Sequence, residues 1–196
     1  MKLPFSTSKP STPAPQGAHP ARLVRIVDCG SALTPFTHED GSPVIQRKVS
    51  IAWELYTDPR MEDGRPFMVS AKYTRSLNEK SGLYKLLNGW LGSEFGDSVA
   101  TGSFDLKSIL GRPCLVQINH GTSKKGSTFA QVGGVMVLPK ALAKVMEEQV
   151  NPNLMFDLDA FDKAAYDALP PWQREDISKT PEYLAAIGNA DEDIAF

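Results

Sequence analysis

Val44-Ile45-Gln46-Arg47-Lys48-Val49-Ser50-Ile51-Ala52-Trp53-Glu54-Leu55-Tyr56 is the longest strand-like run in the chain. From Lys48 onward it alternates. Val49, Ile51, Trp53 and Leu55 share one face, and Lys48, Ser50, Ala52, Glu54 and Tyr56 share the other, the period of a strand with one side on a core. Asp58-Pro59 and Asp63-Gly64 punctuate the segment that follows. Pro66-Phe67-Met68-Val69-Ser70-Ala71-Lys72-Tyr73-Thr74 then reads as the returning strand of an antiparallel hairpin with a loop of about eight to ten residues. Upstream, Ala21 to Asp28 is short and β-branched, ends at Cys29-Gly30, and leads into a polar loop from Ser31 to Pro43.

Beyond the hairpin the period changes. Ser76 to Leu91 places Leu77, Leu83, Tyr84, Leu86, Leu87, Trp90 and Leu91 largely at three- and four-residue spacing, an amphipathic helix. Ser76 and Glu79 match a capping box at its start, and Gly92 ends it. A loop runs to Thr101, and Phe104 to Leu110 supplies one or two further helical turns. Pro113 to His120 is a fourth strand and Ser127 to Leu138 a fifth, in which Gly133-Gly134 marks a bulge or bend. Three strands, a helix and two strands is the element order of the OB-fold, a five-stranded, mainly β barrel. An SH3-like barrel, or a split β-sheet with one covering helix, is the rival arrangement. The chain divides accordingly into a disordered Pro/Ser/Thr-rich arm (1–18), the barrel (19–139), a short helical C-terminal extension (140–187) and an acidic flexible tail (188–196). Ala141 to Val150 reads as the first short helix of that extension. The apolar content of 151–187 predicts that it packs on the barrel or on a second subunit.

The net charge of −2 conceals an asymmetry: residues 1–150 carry 18 Lys+Arg against 13 Asp+Glu, and residues 151–196 carry 3 against 10. A basic body with an acidic end suits a polyanion partner, with the end able to compete for the same surface. No run approaches a membrane span, and Met1 to Gln16 lacks the apolar core of a secretory signal, so a cytoplasmic protein without a membrane partner is expected. Cys29 and Cys114 form no CxxC pair and read as buried small hydrophobes; no cofactor or metal site is indicated.

An enzyme needs a nucleophile, a base or a metal set. His19, His38 and His120 are scattered, and no catalytic or nucleotide-binding fingerprint occurs, so no enzyme is expected. Asp157-Leu158-Asp159-Ala160-Phe161-Asp162 lacks the glycine and bidentate glutamate of a calcium loop and reads as a solvated acidic face. Binding a single strand needs cations and aromatic faces along a groove. In an OB-fold that groove crosses strands two and three and is flanked by the loops joining strands one to two and four to five. Those places hold Arg47, Lys48 and Tyr56, then Lys72, Tyr73 and Arg75, and finally Lys124, Lys125 and Phe129. Trp53 shares parity with the core residues and is read as core; Tyr73 divides evenly between core and stacking; Trp90 packs the helix. Nothing points to base-specific readout.

The chain ends Asp191-Glu192-Asp193-Ile194-Ala195-Phe196. Read from its residues, such an end is either solvated or a docking peptide, with Phe196 and Ile194 in an apolar pocket and Asp191, Glu192 and Asp193 on Lys or Arg. It resembles the acidic, Phe-terminated tips of bacterial and certain phage single-stranded DNA-binding proteins. From about Pro20 to Pro139, with Ala21-Arg22-Leu23-Val24, Arg75-Ser76-Leu77-Asn78-Glu79-Lys80-Ser81 and Phe104-Asp105-Leu106, the body is similar to phage- and prophage-encoded proteins of that type. The resemblance implies a barrel that coats single-stranded DNA during replication, recombination or repair in a bacterial host. It also implies a tail that recruits replication or recombination proteins and lies in the basic groove when DNA is absent. The compact apolar segment before the tail departs from the long Gly/Gln-rich linker of the bacterial housekeeping protein and favours a monomer or homodimer over a tetramer. The rival classes are a protein-interaction adaptor that ignores DNA, and an RNA or duplex binder.

Overall fold

β1, Gly17–Thr37, is a strand of 21 residues to which most of the remaining chain attaches. The computed structural model of the protein describes residues 12–102, 104–144 and 146–192. β1 pairs antiparallel with β2 (Pro43–Leu55), from Ala21 opposite Leu55 to Thr37 opposite Pro43. Its other edge is shared. Gly17 to Arg22 pair antiparallel with β4 (Pro113–Thr122), and Arg25 to Val27 pair parallel with β6 (Leu154–Phe156). β3 (Phe67–Thr74) adds to β2 and β5 (Thr128–Met136) adds to β4, giving the order β3-β2-β1-β4-β5 with β6 beside β1. The protein is thus mainly β, an antiparallel sheet of six strands with one short parallel pair and several short helices.

The expected loop from Ser31 to Pro43 is instead a protruding ribbon. Its strands continue to Thr37, and the reversal takes only His38 to Ser42, closed by His38 N–H to Ser42 O at 2.8 Å. The polar composition of 31–37 hid a strand because a two-stranded ribbon has no buried face to impose alternation. Gly30, at φ +67°, lets β1 swerve at the ribbon's base, where a Cβ would lie 2.7 Å from Thr180. The start of β1 also comes earlier than expected. Ala14 is buried and its carbonyl meets His120 Nε2 at 2.8 Å, so residues 12–18 are tied down; the rest of the expected disordered arm lies outside the described residues.

One face of the sheet encloses a core of Leu23, Ile26, Val49, Ile51, Trp53, Leu55, Val116 and Ile118, closed by Leu83, Leu87 and Trp90 of α1 (Gly82–Leu91). Trp53 is core, as its parity predicts, and Trp90 packs the helix into the same core. The helix starts later than the Ser76–Glu79 box suggests. Ser81 is its cap, accepting from Tyr84 N–H at 3.1 Å while donating to Ser76 O at 2.6 Å. The segment expected as loop contains α2 (Ser93–Ala100), which sends only Phe95 and Val99 to the core and therefore shows little periodicity; Glu94 adds an ion pair to Arg112 at 2.6 Å. Leu106–Ile109 is a single 3-10 turn. Gly133 is a bulge: Gln117 pairs with Gly134 and Ile118 with Val132, and a Cβ on the residue left between would meet Asn119 Nδ2 at 2.5 Å. The edge strands β3 and β5 run in the same direction and line shared recesses, Phe67–Ser70 with Thr128–Ala130 in one and Tyr73 with Val132–Val135 in the other.

The C-terminal extension covers the other face of the sheet. Where a helix from Ala141 to Val150 was expected, α3 spans only Lys140–Ala143, and the chain then crosses β2 in extended form. It is held there by Glu54, fully buried, which accepts from Val150 N–H at 2.9 Å, Asn151 N–H at 2.7 Å and Asn151 Nδ2 at 2.6 Å. β6, a 3-10 turn at Leu158–Ala160, α4 (Lys163–Asp167), α5 (Pro171–Ile177) and α6 (Pro181–Glu192) follow. Together they build a second core of Phe156, Leu158, Leu169 and Ile177 on Val27. β2 from Val49 to Leu55, and most of β1 from Ala21 to Gly30, are therefore buried on both faces, and of the polar parity Ser50, Ala52, Glu54 and Tyr56 are inaccessible while Lys48 stays partly exposed. The expected free segment from Gly188 is helical to Glu192, and residues 193–196 lie outside the described residues. Among the described residues no helix is long and apolar enough to cross a membrane.

Burial alone would raise the pKa of Glu54, but the Val150 and Asn151 donors outweigh it and hold the carboxyl below its ordinary value. A depressed folded pKa contributes stability above the unfolded value that is lost as pH falls through the folded one. Glu54→Gln is expected to lower the unfolding free energy at neutral pH by about 1–3 kcal/mol, read as a lower urea midpoint, and to flatten the decline of stability below about pH 4.5. Denaturation of both proteins from neutral to acid pH checks this.

Candidate nucleic-acid interface

Two arginines of the expected groove, Arg47 on β2 and Arg75 just beyond β3, are brought together by the backbone bond from Arg75 N–H to Arg47 O, 2.8 Å. Both converge on Asp28 of β1, which is only 4% exposed. Arg47 Nε donates to Asp28 Oδ2 at 3.0 Å, and Arg75 Nη1 donates to the same oxygen at 2.8 Å. The extension adds Asp159, at 2.8 Å from Arg47 and 2.9 Å from Arg75, with Asp157 at 3.6 Å from Arg75. The two guanidinium groups hold the Asp159 carboxyl below its ordinary range. Burial would lower the Arg47 pKa, but the carboxylates of Asp28 and Asp159 prevail and keep it raised. The stretch 157–162 is thus not a solvated acidic face: Asp157 and Asp159 clasp arginines, and Asp162 caps α4 through Ala164 N–H at 2.8 Å. Asp28, Asp157 and Asp159 present oxygens within 4.8 Å of one another, as ligands of a divalent cation do, but the two guanidinium groups already supply the positive charge at that point.

Beside this cluster, between the sheet and α5, lies a recess of about 240 Å³. Its floor is apolar, with Cys29, Ala32 and Ile177, and three amines surround it: Lys48, Lys72 and Lys179. Cys29 is half-buried here rather than fully enclosed, and burial pushes its thiol pKa up. Cys114, by contrast, is core. Lys48 Nζ donates to Gln46 Oε1 at 2.8 Å and Thr74 Oγ1 at 3.0 Å, neutral partners that leave its charge uncompensated. Lys72 lies 3.6 Å from Asp176, and Lys179 lies 2.8 Å from Glu175 one turn earlier. Pairs this exposed contribute roughly 0–1 kcal/mol, so these ammonium groups exchange partners readily. Arg47 and Arg75, locked on a buried carboxylate, do not.

The aromatic expectations fare differently. Tyr56 is buried beneath the extension, and burial raises its phenol pKa. Tyr73 packs against the first core beside Gly82, its pKa pushed up to about 12 by burial. Tyr56 is inaccessible, whereas Tyr73 is half-buried and lines the recess shared with Val132–Val135. Lys124 and Lys125 stand exposed at the tip of the β4–β5 turn, and Phe129 lies half-exposed over Gly121, where a Cβ would meet its Cζ at 2.8 Å. The tip and the recess are linked along β3. Phe67–Ser70 lies beside Phe129, and the exposed Ser70 and Lys72 follow toward the recess. Asp191 and Glu192 belong to α6, whereas Asp193, Ile194 and Phe196 are outside the described residues.

Sequence reasoning placed Lys48 and Lys72 together but missed Lys179. That lysine lies in the acidic extension, just beyond α5, and only the packing of α5 on β1 carries it to the recess. No protein-family model matches the chain, and no curated protein matches it in sequence.

The two kinds of ion pair differ in worth. Asp28→Ala, which leaves two guanidinium groups without their buried partner, is expected to cost about 3–5 kcal/mol. Asp159→Ala, at the exposed side of the same cluster, is expected to cost below about 1 kcal/mol. Urea denaturation of the two variants checks the contrast.

Proposed function

We propose that this chain binds single-stranded DNA without sequence preference, as a coating protein of replication, recombination or repair and not as a catalyst. The observation that carries the reading is the convergence of Lys48, Lys72 and Lys179 on an apolar-floored recess, continued along the exposed edge of β3 to Lys124, Lys125 and Phe129. Cations spaced along a track with apolar and aromatic surface between them suit a phosphodiester chain whose bases need a non-specific resting place. The strand follows the rim of the β2–β3 face, because the extension fills its centre. Support for the OB-fold barrel comes from the parallel approach of edges β3 and β5, with α1 between β3 and β4 in chain order. The acidic segment ending in Phe196 recruits partner proteins, and the setting is the cytoplasm of a bacterial host.

A second reading is favoured by one specific observation. The outer face of β2 is buried, and Arg47 and Arg75 are neutralised, as a protein-interaction adaptor would tolerate.

Titration of a fluorescent ~30-nucleotide poly-dT, long enough for several sites, separates the two. Tight binding that weakens with salt, and that a duplex and a poly-rU control do not reproduce, is the expected result. Lys48→Glu/Lys72→Glu/Lys179→Glu is expected to reduce the slope of log K against log salt by about 2, the share of three phosphate contacts. Absence of binding at every salt concentration supports the adaptor.

A further inference from the structure

The ribbon formed by the end of β1 and the start of β2 projects with three large apolar side chains in solvent: Leu33 at 71%, Phe36 at 67% and Ile45 at 59% exposure. Leu33 and Ile45 are cross-strand partners, so they form one continuous patch. Such a ribbon is marginal on its own, and exposing three large hydrophobes at its end marks a contact surface. Its charge excludes the partner proposed above. From Ser31 to Gln46 there is no Lys or Arg, and the tip carries Glu39 and Asp40. A phosphodiester or an anionic lipid surface is repelled there. Pro35, with no N–H to give, disfavours strand addition along the ribbon's edge, so the contact is made by side chains.

A complementary surface exists on the same chain. Val137, 67% exposed, and Met136 form an apolar step at the end of β5, followed by the exposed amines of Lys140 and Lys144 at either end of α3. Apolar meets apolar, and Glu39–Asp40 meets Lys140–Lys144. The two surfaces cannot meet within one molecule. Met136 pairs with Leu115, and Leu115 with Pro20, placing the step beside the first residues of β1. Leu33 is thirteen residues further along that strand, roughly 40 Å at about 3.3 Å per residue.

We infer that the ribbon docks on the Met136–Lys144 surface of a second copy of this chain. Two different surfaces at opposite ends make a head-to-tail contact, which builds a chain of copies, open or closed into a ring, instead of a two-fold dimer. Only its consequence rests on the function proposed above: successive molecules on one strand then bind cooperatively.

Sedimentation velocity without nucleic acid, across a concentration series, tests this independently of DNA binding. Wild-type protein is expected to grow beyond its 21.4 kDa monomer mass as concentration rises. Phe36→Asp and Val137→Asp, both at exposed positions, are each expected to stay monomeric alone. Mixed in equal amounts they should form a dimer and nothing larger, since each retains the surface the other lacks. Glu39→Lys/Asp40→Lys combined with Lys140→Glu/Lys144→Glu should restore the self-association that either pair of charge reversals abolishes. A wild-type protein that stays monomeric overturns the inference. So does a Val137→Asp variant that still self-associates, which would put ribbon against ribbon.

Discussion

The burial of both faces of β1 from Ala21 to Gly30 and of β2 from Val49 to Leu55 governs the remainder of this structure. A strand enclosed on one side only can lend its outer residues to a ligand. Here Val27 looks into the second core while its neighbour Ile26 looks into the first, and Glu54 spends its carboxylate on the backbone of Val150 and Asn151. Glu54 has no neutral substitute of equal capacity. Only an ionised carboxylate can accept all three N–H groups without leaving a donor unpaired in the interior. The extension is thereby brought across β2 at one polar point and secured beyond it by apolar packing.

Magnitudes decide whether that extension is a lid or a wall. Phe156, Leu158, Leu169 and Ile177 are buried, at roughly 1.5–3 kcal/mol each. The ion pairs that join Asp159 and Asp176 to the basic residues are exposed on the acidic side and contribute roughly 0–1 kcal/mol each. Screening by salt or competition by phosphate acts only on the smaller part. A polyanion can therefore take Lys72 from Asp176 without lifting α5, but it cannot clear the face of β2. This is why the proposed path follows the rim, and why the acidic half of the chain need not leave for the basic half to bind.

The strands that alternate over a single core were legible: β2 from Lys48, β3, and the parity of Trp53. So was the glycine bulge, because a small residue within a strand has few other uses. What the sequence hid has one common physical cause. The polar parity of β2 implied solvent, but Ser50, Ala52 and Glu54 are small or hydrogen-bonded groups covered by a segment about a hundred residues away, and alternation reports contrast between faces, not what covers each. Tyr56 was misplaced for the same reason. The ribbon at 31–37 was lost because it has no core to write a period into it. Arg47 and Arg75 were assigned to one groove on neighbouring strands, yet their carboxylate partners come from β1 and from beyond β6. Lys179 reached the recess by the same unreadable route.

The distribution of charge over the folded molecule differs from its distribution along the chain. Along the chain the basic body and the acidic end stand apart, which suggests intramolecular competition. In the fold, Asp157 and Asp159 are consumed where Arg47 and Arg75 stand, and the remaining charges among the described residues, some of them in weak exposed pairs, are sorted by place. Amines face the recess and the β4–β5 tip, carboxylates crown the ribbon, and amines flank α3. Surfaces of opposite sign at opposite ends of one long strand cannot neutralise each other internally, and only another molecule brings them together. A non-specific strand binder gains from such an arrangement. Its phosphate and stacking contacts are the same at every position, and neighbour contacts add to them in holding a long strand covered at modest protein concentration.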